Sequence, residues 1–445
     1  MKSLYATLAA LLLLAALLVP AARLQAAPPL PVLVEEGVLS GNENNKLPSV
    51  ATGNGRVYLT WSVNNGIYEV DRQEETGVFG RENLGSNNGN PTYFNAAVAV
   101  GADGTEHVAW ISGGNIVYRR QARGQPWTET RAIANAASFA NNLDIAVQGV
   151  NRVFVIWRDT APYDGALFYI YSPDGGNTWS QRIQINLPEG SYAGIPHIAA
   201  GPEGKPVMMT YTGKDKGIVY AGEWNGQNFN IVCVSCFRFG GKSDFFNPSI
   251  TVTPAGRPYV IWRAVGGGIF FAERQANGSW GVARISSHLA PNYTYSVAIA
   301  ADAANNVHMA WIARETEKGS PSVWYTVRNR DGEFATPIAV SRDGGAFKSG
   351  VDIAATALYD RVVAHIAWES FSNGQFIRYA RVQTGGIGCV GAQQAVQTAA
   401  PREILTPQVV PQAELDAQLE AALEAAQDGQ RIYLPIIFNQ RSFCS

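Results

Sequence analysis

Seven times along the chain an apolar run, a turn rich in Gly or Asn, and a second apolar run closing on an aromatic residue follow one another. The copies read PSVATGNGRVYLTW from Pro48, AAVAVGADGTEHVAW from Ala96, LDIAVQGVNRVFVIW from Leu143 and PHIAAGPEGKPVMMTY from Pro196. PSITVTPAGRPYVIW follows from Pro248, SVAIAADAANNVHMAW from Ser296 and VDIAATALYDRVVAHIAW from Val351. They close on Trp61, Trp110, Trp157, Tyr211, Trp262, Trp311 and Trp368, a period of roughly 50 residues that accommodates four short strands better than a helical repeat. A third run with one apolar face follows each aromatic, as NIVYRR after Trp110 or GIFFAE after Trp262, and a weaker fourth closes most copies, as SWGVARI from Ser279. A meander of this kind buries its faces only against its neighbours, so the repeat predicts an all-β ring: a seven-bladed β-propeller of four-stranded antiparallel blades.

The strand count leaves one vacancy and one orphan. No fourth run follows Arg381, while PVLVEEGVL, residues 31–39, stands before the first unit without a partner. This N-terminal strand is expected to complete the seventh blade and close the ring, which removes two exposed edges at once. The propeller is accordingly expected over residues 28–390. Residues 391–445 read as a linker containing Pro and Gln, a short helix with Leu415, Leu419 and Leu423 on one face, and an apolar C-terminal tail, either folded back or a sorting segment.

At the amino end Lys2 precedes LYATLAALLLLAALLV, an uncharged run followed by the small-residue stretch AARLQAA. This is the pattern of a signal peptide over residues 1–27, with cleavage near Ala26 or Ala27. The run is shorter than the ~18–20 residues of a spanning helix, so the mature chain is expected to be secreted or at the cell surface, without membrane insertion. Two disulfides suit that compartment. Four cysteines allow three pairings; the expected ones are Cys233 with Cys236 and Cys389 with Cys444. Only 16% of residues are charged and the formal net charge is -2, which gives no field for nucleic acid. A monomer is expected.

His107, His308 and His365 each stand three residues before a closing Trp, in a slot that Tyr58, Phe154, Met208 and Tyr259 fill elsewhere. A slot that accepts Phe and Met is a packing slot. His197 and His288 are too sparse for a metal centre, and no phosphate loop or Ser-His-Asp set is evident, so neither metal nor cofactor is expected. Variation concentrates where the second run ends: Arg158, Arg263 and Glu369 directly follow closing aromatics, and Arg314 lies close to a fourth. These three arginines could converge on an anion near the ring axis, with Glu369 among the ligand-binding candidates and Tyr192, Tyr293 and Tyr295 as stacking surfaces. Alternatively they cap strand ends or pair with Asp159, Glu315 and Glu369 on a solvated rim.

One turn is more specific than the rest. Ser172, Asp174, Gly176, Thr178 and Trp179 spell Ser-x-Asp-x-Gly-x-Thr-Trp, the Asp box, and this turn resembles the signature of the sialidase and BNR-repeat propeller superfamily. Weaker echoes occur at Asn277 to Trp280, Asn329 to Gly332 and Trp224 to Gly226, and with the repeats the resemblance covers about residues 31–390. Physically the box is a structural turn: the carboxylate gathers backbone N–H groups, Gly takes positive φ, and Trp plugs a gap between blades. The turn joins the third and fourth strands, so Asp174 is expected far from any ligand. The resemblance implies a carbohydrate ligand and, in the enzymes, three arginines holding a carboxylate, a Tyr–Glu nucleophile and an Asp acid/base. Where the family has Arg-Ile-Pro this chain has Lys46, Leu47 and Pro48, a point charge in place of a bidentate fork. The family's catalytic members also have six blades. The expected function is therefore a glycan- or surface-polymer-binding module. The alternative is an exo-acting, sialidase-like glycoside hydrolase with Asp159 or Asp164 as acid/base and Tyr293 among the catalytic candidates; a further alternative is a protein-binding scaffold.

Overall fold

The structure is a computed structural model. It describes residues 31–384 except 44, 64–65, 74–76, 78–79, 87–95, 137–139, 161–164, 189–193, 214–217, 236–244, 265–267, 287–293, 317, 342, 345–346, 359–360 and 372. The chain divides into two units, Met1–Gly391 and Ala392–Ser445, and the second lies wholly outside the described residues.

The described residues form seven four-stranded antiparallel sheets, the blades of a propeller. Innermost strands Asn45–Gly53, Ala96–Val100, Asn141–Gln148, His197–Ala200, Phe245–Val252, Thr294–Ala301 and Phe347–Ala357 contact one another in a closed ring around the axis. Second strands Arg56–Val63, Glu106–Ser112, Arg152–Thr160, Val207–Thr212, Pro258–Ala264, Val307–Ala313 and Val362–Phe371 carry the closing aromatics. The third strands are Gly66–Gln73, Asn115–Gln121, Gly165–Ser172, Val219–Trp224, Gly268–Arg274, Ser322–Arg328 and Gln375–Thr384. Outer strands are Glu82–Ser86, Arg131–Asn135, Ile183–Gln184, Phe229–Cys233, Trp280–Arg284, Ile338–Ala339 and, for blade seven, Val32–Val38.

The N-terminal strand thus closes the ring, paired along Val32–Gln383 to Val38–Arg378. Charge fixes it on both sides. Glu36 pairs with Arg378 of its own blade, and Glu35 pairs with Arg72 of blade one at 2.7 Å. Leu39 N–H and Ser40 Oγ continue the bonding beyond the strand, to the carbonyl and the N–H of Ile377.

The repeat becomes a fold through seven separate cores, each lying between two neighbouring blades. Trp61, Trp110, Trp157, Tyr211, Trp262, Trp311 and Trp368 are all fully buried, and each packs against the preceding blade. Trp368, for example, shares its cluster with Ala298 and Ala310 of blade six, a large ring received by small side chains. Burying one such aromatic is worth about 1.5–3 kcal/mol, and because each needs a neighbour, ring closure is what completes the last of the seven interfaces.

The histidine slots pack as expected, with an added bond. His107, His308 and His365 are buried, and the Nδ1 of each lies 2.7 Å from a tyrosine hydroxyl one strand outward, on Tyr118, Tyr325 and Tyr379. Burial holds the His107 imidazole down to about 4 and that of His365 well below its usual range.

At the turn after Ser172, Asp174 accepts both the N–H and the hydroxyl of Thr178, at 2.8 and 2.7 Å. Those bonds hold its carboxyl down to about 2. Ser172 Oγ accepts Gly176 N–H at 2.7 Å, and Trp179 sits edge-on to Tyr118 of blade two at 4.9 Å. Gly176 has φ 88°, and a Cβ there would lie 2.1 Å from the Tyr118 hydroxyl, so only glycine fits.

Cys233 ends the outer strand of blade four and is disulfide-bonded. Cys236, Cys389 and Cys444, like the signal segment, lie outside the described residues.

Candidate functional site

The innermost strands enter the ring through bulges. In blades one, three, five and seven the pairing slips between Lys46 and Ser49, Asn141 and Asp144, Phe246 and Ser249, and Ser349 and Asp352. Within each slip one residue takes positive φ: Leu47, Asn142, Asn247 and Gly350. Two residues later comes a polar side chain, and a bulge is a device for re-aiming one. The four polar residues are Ser49, Asp144, Ser249 and Asp352. His197 occupies the equivalent position in blade four, and Ala97 and Ala298 in blades two and six.

This ring of positions ties blades together. Asp352 accepts Val50 N–H of blade one at 2.8 Å, Ser49 accepts Val98 N–H of blade two at 3.3 Å, and Asp144 accepts Ile198 N–H of blade four at 2.9 Å. Inside it lies an axial cavity of about 420 Å³, at the end of the ring where the innermost strands begin. Asp144, His197, Asn142, Asn247, Tyr295 and Asp352 line it.

Its charges are arranged across the axis. His197 Nδ1 lies 3.4 Å from Asp144 Oδ2, and blade seven, bearing Asp352, stands across the ring from blades three and four. The His197 side chain is 36% exposed, but the water it meets is that of the axial cavity, enclosed by all seven blades. Burial works against its charge; the hydrogen bond and charge of Asp144, with Asp352 adding, outweigh burial and leave its pKa raised. Burial also pushes the Asp352 carboxyl up to about 7, against the bonds from Val50 and Ile353 N–H and the attraction of His197. The cavity therefore pairs an imidazole whose charged form is favoured with the Asp144 side chain beside it, across the ring from an Asp352 carboxyl that is partly protonated near neutral pH.

An aromatic shelf continues outward from the cavity. Tyr295 lines it and meets Phe347 edge-on at 5.5 Å; Phe347 in turn lies 5.7 Å from Phe371. The two phenylalanines are 46% and 37% exposed, large apolar faces turned to solvent beside a polar cavity.

The residues singled out by sequence fall as follows. Arg158 and Arg263 are half-buried at equivalent strand ends, opposite Asn141 and Phe246 at the start of the innermost strands. The Asp174 turn is at the other end of the blade, since Val153 pairs with Ser172 and Thr160 with Gly165. Arg314 is also half-buried, and none of these three arginines lines the axial cavity. Burial lowers the pKa of Arg158 and Arg263. Asp159 is 4% exposed, accepts Trp157 Nε1–H at 3.1 Å and pairs with Arg182 at 3.1 Å. Glu369, also buried, accepts Leu47 N–H and the Ser349 hydroxyl at the junction of blades seven and one. Asp164, Tyr192 and Tyr293 lie outside the described residues. Sequence reasoning passed over Asp144, Asp352 and the two phenylalanines, and set His197 aside.

No family model and no curated protein sequence matches the chain. Solved structures do. A protein of unknown function from Dyadobacter fermentans superposes with a TM-score of 0.51 at 13% identity, over 80% of this chain and 100% of that one. A polysaccharide lyase described as an ulvan lyase gives 0.55 at 13% identity, over 78% and 94%. An ulvan lyase structure bound to -[GlcA(1-4)Rha3S]- gives 0.55 at 12% identity, over 80% and 94%. At such identities the likeness shows the fold: the chain is a seven-bladed β-propeller, with polysaccharide lyases described as ulvan lyases among its structural neighbours.

Proposed function

We propose that the chain is an exported carbohydrate-binding propeller that takes a saccharide at the axial cavity, one ring stacked on the shelf of Tyr295, Phe347 and Phe371. The observation that carries this reading is the shelf itself, two exposed phenylalanines leading into a polar cavity of about 420 Å³. Pyranose rings present one apolar face and a hydroxyl rim. Aromatic rings suit the first, and an imidazole with two carboxyl groups, which between them donate and accept, suit the second. Arg158 and Arg263, at the same end of the ring, are the side chains we assign to an acidic sugar. The test is binding to an array of neutral and uronic-acid polysaccharides. Phe347→Ala and Phe371→Ala should each weaken binding tenfold or more without lowering the unfolding midpoint, and unchanged binding in both would reject the shelf. A mature N terminus near Pro28 on secreted protein would support export; an uncleaved chain retained inside the cell would oppose it.

One observation favours cleavage as a second reading. Asp144 and Asp352 face each other across the axis in different environments, the pattern by which two carboxyls divide acid and base roles. Release of reducing ends from a bound polysaccharide, lost in Asp352→Asn, would establish it.

A further inference from the structure

A second cavity, of about 410 Å³, opens between blades one and two at the end of the ring remote from the axial site. Glu69, on the third strand of blade one, and Glu106, which begins the second strand of blade two, both line it. Their exposures are 5% and 2%, and the Oε1 atom of each is buried without a hydrogen-bond partner. Buried carboxyl oxygens are ordinarily bonded, and two orphans on side chains that line one cavity are costly. Several of the neighbouring charges are engaged elsewhere. Arg56 pairs with Asp71, Glu82 accepts Trp127 Nε1–H at 3.1 Å, and Arg81 lies over the Tyr68 ring at 4.4 Å.

We propose that this cavity binds a protonated primary amine on a molecule of monosaccharide size, a 2-amino sugar. Among the described residues no three acidic or imidazole groups converge as a metal cage, and the space far exceeds a bare ion. A guanidinium wants two parallel acceptors on one carboxylate, whereas these carboxyls come from different blades. An ammonium is compact, with three freely rotating donors, and can bridge both. The remaining volume falls in the range of small-ligand pockets, and Gln121, Arg123 and Gln125 supply polar groups for hydroxyls. Burial raises both carboxyls, Glu69 to about 8, so an ammonium that needs carboxylate partners must displace a proton. The site is separate from the axial cavity and does not rest on its reading.

Calorimetric titration of the full chain at pH 7 with glucosamine, N-acetylglucosamine and calcium chloride tests the assignment. Glucosamine should bind once per chain and at least tenfold more tightly than N-acetylglucosamine. Proton release should appear as a binding enthalpy that changes with the buffer. Glu69→Gln and Glu106→Gln, near-isosteric and checked for folding by circular dichroism, should each weaken glucosamine tenfold or more. Equal binding of the acetylated sugar, undiminished binding in both Gln variants, no glucosamine binding, or calcium binding lost in the same variants would each overturn the proposal.

Discussion

Replacing Asp352 with Asn should reverse sign in its effect on stability as the pH is raised. Burial holds this carboxyl at about 7 against a reference of 3.8, so between those values the folded chain keeps a proton that the unfolded chain releases. Stability from this group is therefore greatest in acid and is lost as pH climbs toward and through 7. At 1.36 kcal/mol for each pH unit, the full penalty on the ionised form is roughly 4 kcal/mol, an upper bound because axial water reaches the cavity. Asn carries no charge and escapes the penalty. It also cannot accept from both Val50 and Ile353 N–H as the carboxyl does, and losing one such bond costs about 1 kcal/mol.

The variant should thus be less stable than the parent by about 1 kcal/mol near pH 4 and more stable by ~1–3 kcal/mol at pH 8, crossing between. Urea unfolding of both proteins at intervals from pH 4 to 8 measures the difference. The other raised carboxyls, Glu69, Glu106 and Glu369, are present in both chains and cancel, while His197, which the Asp352 charge helps to raise, moves with the substitution and belongs to the same difference. A difference that stays flat across that range, or that grows in favour of the parent at high pH, would refute burial as the cause.

Other outcomes follow from the same geometry. Deleting the chain through Val38 removes the outer strand of blade seven together with Glu36 and Glu35, which pair with Arg378 and Arg72; at ~1 kcal/mol for each lost backbone hydrogen bond, the unfolding free energy should fall by several kcal/mol, and no change would deny the closure. Gly176→Ala meets both a positive φ and the Tyr118 hydroxyl, so urea unfolding should show a loss of more than about 1 kcal/mol, far above that of Gly55→Ala, where φ is also positive but space is open. The double variant Arg158→Ala and Arg263→Ala should lose uronic-acid polysaccharides while its unfolding midpoint stays near the parent's; if it binds them unchanged, the two arginines do not belong to the acidic subsite.

The ring was legible because its grammar is local. An apolar run, a turn and an aromatic recur at nearly fixed spacing, and every closing aromatic proved fully buried between blades. Ring closure by the N terminus followed from counting strands, since an outer strand missing at one end and an orphan at the other have one economical solution. The short outer strands Ile183–Gln184 and Ile338–Ala339 show where that grammar is weakest: edge strands bury little, so composition barely constrains them.

The axial set was harder to read because it is assembled across blades that lie far apart in sequence. Asp144, His197 and Asp352 come from three blades, and no spacing in the chain relates them. Their individual signal was nonetheless present. Gly350-Val-Asp352, Asn142-Leu-Asp144 and Asn247-Pro-Ser249 each place a residue tolerant of positive φ two before a short polar side chain, the trace of a bulge that turns that side chain to the axis. In blade one Leu47 takes the same conformation without that tolerance, held by its N–H bond to the buried Glu369 carboxyl. Glu369 thus helps fix the bulge that presents Ser49, and a rim acid singled out for a ligand is in the structure a support for the axial ring. Where blades are alike in packing, it is the residue permitted at the bulge, rather than the charge at the strand end, that decides which side chains face the axis.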